Sequence, residues 1–181
     1  MSVMRAVSFW FAVALLAEAG HAADLSGRKT VALLANDGSR IAIGQVTFQR
    51  QGDGYRFRFE PDPSKFTERF LAMRPFLCLD GESQSLCHFP YATPRHVTEH
   101  DLTDLEYELM FLRKPRQAVS VDAFNGIYYE MRITERGIAG ELREVDMTPI
   151  VVPDGSKRPI RREALEKSDP AGHWLPRLVI E

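Results

Sequence analysis

His96-Val97-Thr98-Glu99-His100 is a stretch of this chain that matches a known catalytic pattern. In zinc peptidases with H-x-x-E-H, two histidines one helical turn apart hold the metal and the glutamate serves as general base. That chemistry needs a helix, because only helical spacing turns both imidazoles the same way. Here the helix signals begin near Thr98 or Asp101, which leaves His96 in the loop before it, and no third-ligand motif follows. The expected reading is two solvent-facing loop histidines, with no metal bound. A metal-dependent hydrolase using His96, Glu99 and His100 is the alternative function.

The other polar constellations carry less chemistry. Cys78 and Cys87 are the two cysteines of the chain. An even pair in an exported protein reads as a disulfide, and closing so short a loop contributes about 2–3 kcal/mol. A bridged Cys87 provides no thiolate, so it is neither a nucleophile nor a metal ligand, and His88 beside it could join a metal site only through other partners in the fold. There is no nucleophile-elbow serine, no phosphate-binding glycine loop and no dinucleotide fingerprint, so no cofactor is expected. Carboxylate pairs such as Asp104/Glu108 and Glu141/Glu144 read as solvated faces of a helix and a strand.

Features that could bind rather than react are three. Arg56 and Arg58 share one face of a strand, with Gln49 expected opposite Arg56, which makes a possible anion patch. Tyr128 shares its parity with the polar Glu130 and Arg132, and an aromatic on a polar face can mark a binding surface. Lys157-Arg158-Pro159-Ile160-Arg161-Arg162 is a basic cluster, expected in a solvated loop.

The elements that must position these residues are mostly strands. Thr30–Ala35, Arg40–Gln49 and Tyr55 to Glu60 read as a meander, turned at Asn36-Asp37-Gly38 and Gln51-Gly52-Asp53-Gly54. Ile41 and Ile43 lie on the opposite parity to Val46 and Phe48, so a bulge is predicted at Gly44, and Phe48 is set opposite Phe57. Asp62-Pro63 suits a helix start, yet residues 64–74 fit a helix or a bent strand equally. Leu102, Leu105, Leu109 and Leu112 fall on one helical stripe, with Asp101 and Asp104 early and Arg113 and Lys114 late, which predicts a helix over residues 99–112. A second hairpin places Ile133 opposite Ile138. Met147–Val152 suggests a strand, Arg161–Lys167 a short helix, and Trp174–Ile180 a closing strand. The expected class is α+β and β-rich: an antiparallel meander or small barrel-like sheet with one main helix packed on it.

Residues 1–22 carry an n-region with Arg5, the apolar run Ala6–Ala17, and small residues at Gly20 and Ala22. These are the parts of a secretory signal peptide cut before Ala23, with an alternative cut before Gly20. The run is shorter than the ~20 residues a membrane-spanning helix needs. Removal leaves 181 − 22 = 159 residues, read as a single β-rich domain over residues 23–181. A formal net charge of −2 argues against a nucleic-acid partner. The chain is therefore expected to be a periplasmic or secreted, non-catalytic domain with no integral membrane segment after cleavage. Its expected partner is a small molecule or an envelope protein, with Arg56, Arg58 and Tyr128 as the candidate binding residues.

Overall fold

A computed structural model of the chain describes residues 24–72, 74–152 and 155–181. The expected signal peptide lies outside these residues. Twelve strands make one antiparallel sheet: β1 (Gly27–Leu34), β2 (Arg40–Gln51), β3 (Gly54–Pro61), β4 (Thr67–Leu71), β5 (Arg74–Asp80), β6 (Gln84–His88), β7 (His96–Val97), β8 (Phe111–Pro115), β9 (Gly126–Thr134), β10 (Gly137–Val145), β11 (Glu166–Lys167) and β12 (Arg177–Ile180). The spatial order is β4-β5-β6-β8-β9-β10-β12-β1-β2-β3-β7, with β11 added beside β10. The ladder is open, ending at β4 and β7, so it is a large curled sheet rather than a closed barrel.

The first meander forms as its residue pattern demands. Phe48 faces Phe57 and Gln49 faces Arg56 across β2 and β3. Val31 pairs with Gly44 while Ala32 pairs with Ala42, so Ile43 is the extra residue of a bulge. The bulge resolves the parity conflict by turning Ile43, Val46 and Phe48 all into the core. Gly44 is needed there: its φ is +158°, and a Cβ would stand 2.4 Å from the Glu60 carbonyl oxygen and 2.8 Å from Pro61 Cα. Gly44→Ala is expected to destabilise the protein by about 1–3 kcal/mol, as overpacking does. Urea unfolding checks this, and an unchanged midpoint would show that the bulge can relax.

Tertiary pairing decides the segments where local signals were divided or misleading. Asp62 caps a 3-10 turn at Pro63–Lys65, its side chain accepting from Ser64 N, and the chain then runs on as strand β4. The expected helix over residues 99–112 shrinks to α1 (Thr103–Glu108). Leu112 belongs to β8, which fills the gap between β6 and β9, and pairing on both edges outweighs helical periodicity. Lys114 is correspondingly not a helix-end cation: it is buried, and its ammonium donates to the carbonyls of Pro115, Arg116 and Ala118 at 3.2, 3.0 and 2.9 Å. Met147–Val152 is also not a strand but holds the single turn α2 (Thr148–Val151), with Pro149 in its first turn, where a missing N–H does no harm. Arg161–Lys167 becomes a 3-10 turn at Arg162–Ala164 followed by β11. Among the described residues, the expected one main helix is thus replaced by two short ones.

The C-terminal segment docks as β12 between β10 and β1, which joins the two halves of the sheet. Val31, Leu33, Phe48, Phe57, Leu105, Phe111, Tyr129 and Leu178 meet in the larger core on the concave side. A second core lies on the other side of β5, β6, β8 and β9, where Phe76, Cys78, Cys87, Phe89, Tyr107, Leu112 and Tyr128 pack under Ile150 and Ile160. The disulfide joins Cys78 and Cys87, which oppose each other across β5 and β6. Among the described residues, no helix is long and apolar enough to cross a membrane.

Candidate functional site

Strand register assembles a basic outer face from residues far apart in sequence. Arg28 of β1, Thr47 of β2 and Arg58 of β3 lie in one row across the sheet. The neighbouring row on the same face is Gln49, Arg56 and His96, the last from edge strand β7. Core residues such as Phe48 and Phe57 occupy the opposite face, so these polar side chains must point outward. Arg28, Thr47, Gln49, Arg56 and Arg58 line, with Arg95 and Glu60, a groove of about 380 Å³.

The charges of this groove are only partly balanced. Glu60 accepts from Arg28 at 3.0 Å and lies 3.1 Å from Arg58, both of which stay largely exposed. Arg95 pairs through Nε with Glu108 at 3.0 Å. Four guanidinium groups thus meet two carboxylates, 4 − 2 = 2 positive charges in excess. Arg95 holds a left-handed φ of 58°, unusual for a residue with a side chain. That backbone shape is locked from outside, because the Arg95 carbonyl accepts from Phe57 N at 3.0 Å. The sequence pointed to Arg56, Arg58 and Gln49. It missed Arg28, which precedes the apolar run, and Arg95, which only the β3–β7 pairing brings alongside.

Tyr128 is not part of any exposed surface; it is 2% exposed. Its hydroxyl donates to Glu106 Oε2 at 2.5 Å, while Glu106 Oε1 accepts from Met131 N at 2.7 Å. Tyr128 departs from the expectation because its face of β9 is polar only toward Glu130 and Arg132. At the Tyr128 end the face is covered by α1 and the segment around Ile160. Burial pushes the Tyr128 hydroxyl well above its usual range, and the nearby Glu106 adds to the shift.

The basic cluster around Arg158, expected in a solvated loop, instead pairs with α1 carboxylates, and neither Asp104 nor Glu108 is the solvated group expected: Asp104 is held by Arg158 and Glu108 by Arg95. Asp104, Glu106 and Glu108 are all buried. Arg158 grips Asp104 Oδ1 through Nη2 at 2.7 Å and Nε at 3.1 Å, and reaches Asp101 at 2.7 Å. Arg162 reaches Glu106 at 3.1 Å. Burial pushes the Glu106 and Glu108 carboxyls upward, against the pull of Met131 N, Tyr128 and Arg162 on the first and of Arg95 on the second. Asp101 goes the other way: burial raises it, but bonds from Thr103 and Arg158 hold it at about 2.

The histidines do not form the arrangement a peptidase needs. His96 is on β7 and its backbone N donates to Asp104, whereas His100 sits in the turn closed by the Thr98–Asp101 bridge. Both precede α1, so no helix aligns their rings. His88 lies beneath α1, its Nε2 2.7 Å from the Glu108 carbonyl, and burial holds its pKa below the usual value. Among the described residues, no three His, Cys, Asp or Glu side chains are grouped to hold a metal ion. Comparison with protein-family models, characterised proteins and solved structures gave no match to the chain.

Proposed function

We propose that the protein is an exported, non-catalytic binding domain that captures a small anion on the arginine-lined face of β1–β3. The observation that carries this reading is the register, which sets Arg28, Arg56 and Arg58 in adjacent rows beside Arg95. Guanidinium forks match carboxylate and phosphate oxygens, and Thr47 and Gln49 add neutral hydrogen-bonding groups between them. The sheet fixes the backbone positions from which these side chains extend, and Glu60 and Glu108 restrain Arg28, Arg58 and Arg95, which lowers the ordering cost of binding. Export is supported by the apolar leader of residues 1–22 and by the buried bridge, which suits an oxidising compartment.

Pyrophosphate is a suitable first probe, titrated calorimetrically into the disulfide-intact protein at low salt. Binding is expected to weaken as salt rises, because exposed charges are screened beyond ~10 Å at 0.1 M ionic strength. Arg56→Ala/Arg58→Ala should weaken it by at least about tenfold, the effect of losing charge-assisted hydrogen bonds. Both side chains are exposed, so the variant should keep its fold. Equal affinity in the variant, or no heat from the native protein, would refute the reading.

A further inference from the structure

A second concavity lies on the opposite core, away from the arginine rows. It is a cleft of about 430 Å³ whose lining includes Phe76, Phe89, Leu112, Val121, Ile150 and Val151. That is the size range of small-molecule sites. Its floor is ordered: the rings of Phe76 and Phe89 stack 6.1 Å apart at an interplanar angle of 14°. Besides Tyr91, whose hydroxyl donates to the Ser156 carbonyl at 3.0 Å, the apolar lining carries one charged side chain, Arg74, whose guanidinium carbon stands 4.7 and 4.6 Å from those two ring centroids. Cation–π contact fixes where the charge sits.

Arg74 is not among the arginines tied to a carboxylate. Arg69, Arg95, Arg158 and Arg162 each hold a carboxylate. Among the described residues none pairs with Arg74, and the side chain is exposed at the cleft. At the other wall Val151 is 55% exposed, and Val152 beside it 70%. Water-exposed apolar walls facing one unmatched monocation describe a ligand with an aliphatic tail and one negative charge.

We infer that this cleft binds a single-chain aliphatic carboxylate, its carboxylate on the Arg74 guanidinium and its chain over Phe76 and Phe89 toward Ile150 and Val151. The single cation favours a monoanionic head over a dianionic phosphate. A planar guanidinium also presents two parallel N–H groups that a carboxylate accepts together. This site is independent of the arginine rows on β1–β3.

Dodecanoate, kept below its micelle concentration, tests the assignment by calorimetry on the disulfide-intact protein. Micromolar affinity is expected, with about two- to fourfold tightening per methylene from octanoate upward as more chain is buried. Arg74→Gln should weaken dodecanoate about tenfold and leave pyrophosphate binding unchanged. Val151→Asp, at the opposite wall, should weaken it comparably, which keeps the test sound if either variant is poorly folded. Dodecyltrimethylammonium should not bind. The inference fails if dodecanoate gives no signal, if the cationic amphiphile binds as well, if dodecyl phosphate binds more tightly, or if neither variant matters.

Discussion

Glu106→Ala should remove about 3–5 kcal/mol of stability, enough to unfold much of a typical domain, whereas Glu106→Gln should cost far less. The carboxylate is completely buried and serves two buried donors, the Tyr128 hydroxyl and the Met131 backbone N–H. Alanine strands both, and each orphaned donor costs about 1–3 kcal/mol. Glutamine keeps an acceptor for Met131 N and can still meet the Tyr128 hydroxyl. Arg162, being half exposed, can turn to water or to Glu130, which it already approaches at 3.4 Å. The measurement is urea unfolding of both variants beside the native protein. Equal losses would mean that the charge, not the hydrogen bonding, is what α1 requires.

The same pair of variants reads out the pH dependence. Burial raises the Glu106 pKa above its unfolded value of 4.5, so the protonated form is favoured by folding. Its contribution is therefore full below the unfolded value and is lost as pH rises through the raised folded value. Glutamine cannot ionise and lacks this loss. Relative to native protein, Glu106→Gln should fare better at pH 8 than at pH 5. Asp101 acts with the opposite sign: held at about 2 against 3.8 unfolded, it supports the fold above that unfolded value and stops doing so as pH falls toward 2. A pH-independent difference between native and glutamine proteins would show that Glu106 does not titrate differently on folding.

How far such features were legible depended on whether they were local. The β1–β3 meander was readable because turn residues and alternation act between neighbours, and even the bulge announced itself as a parity slip at Gly44. The hairpin pairing Ile133 with Ile138 was readable for the same reason, whereas β12 showed only as an apolar, strand-length tail whose partners β10 and β1 lie far away in sequence. Leu112 was misread because a helical stripe and a turn followed by a strand can present the same spacing. Only the vacant position between β6 and β9 decides between them. The partners Asp104–Arg158 and Glu106–Arg162 stand more than fifty residues apart, and no local pattern joins them. Arg56 and Arg58 were legible as a pair, but Arg28, Arg95 and the cleft at Arg74 needed the register of the whole sheet.

Cys78→Ala/Cys87→Ala should cost about 3–5 kcal/mol, lowering Tm by roughly 8–15 °C for a domain of this size. The sequence separation of nine implies about 2.5–3 kcal/mol from freeing the short loop in the unfolded chain. The remainder comes from packing, since both cysteines are completely buried beside Phe76 and Phe89. Those two rings lie two residues before Cys78 and two after Cys87, so the bridge pins the strand positions from which the stack is built. The loss should therefore be uneven. Dodecanoate binding over the ring stack is expected to fall along with stability. Pyrophosphate binding on β1–β3 should persist wherever the variant remains folded, because that meander packs on the other core. A thermal scan and two titrations on the same sample check both parts. A Tm within a few degrees of native would mean that the β5–β6 ladder and its buried surroundings suffice without the bridge.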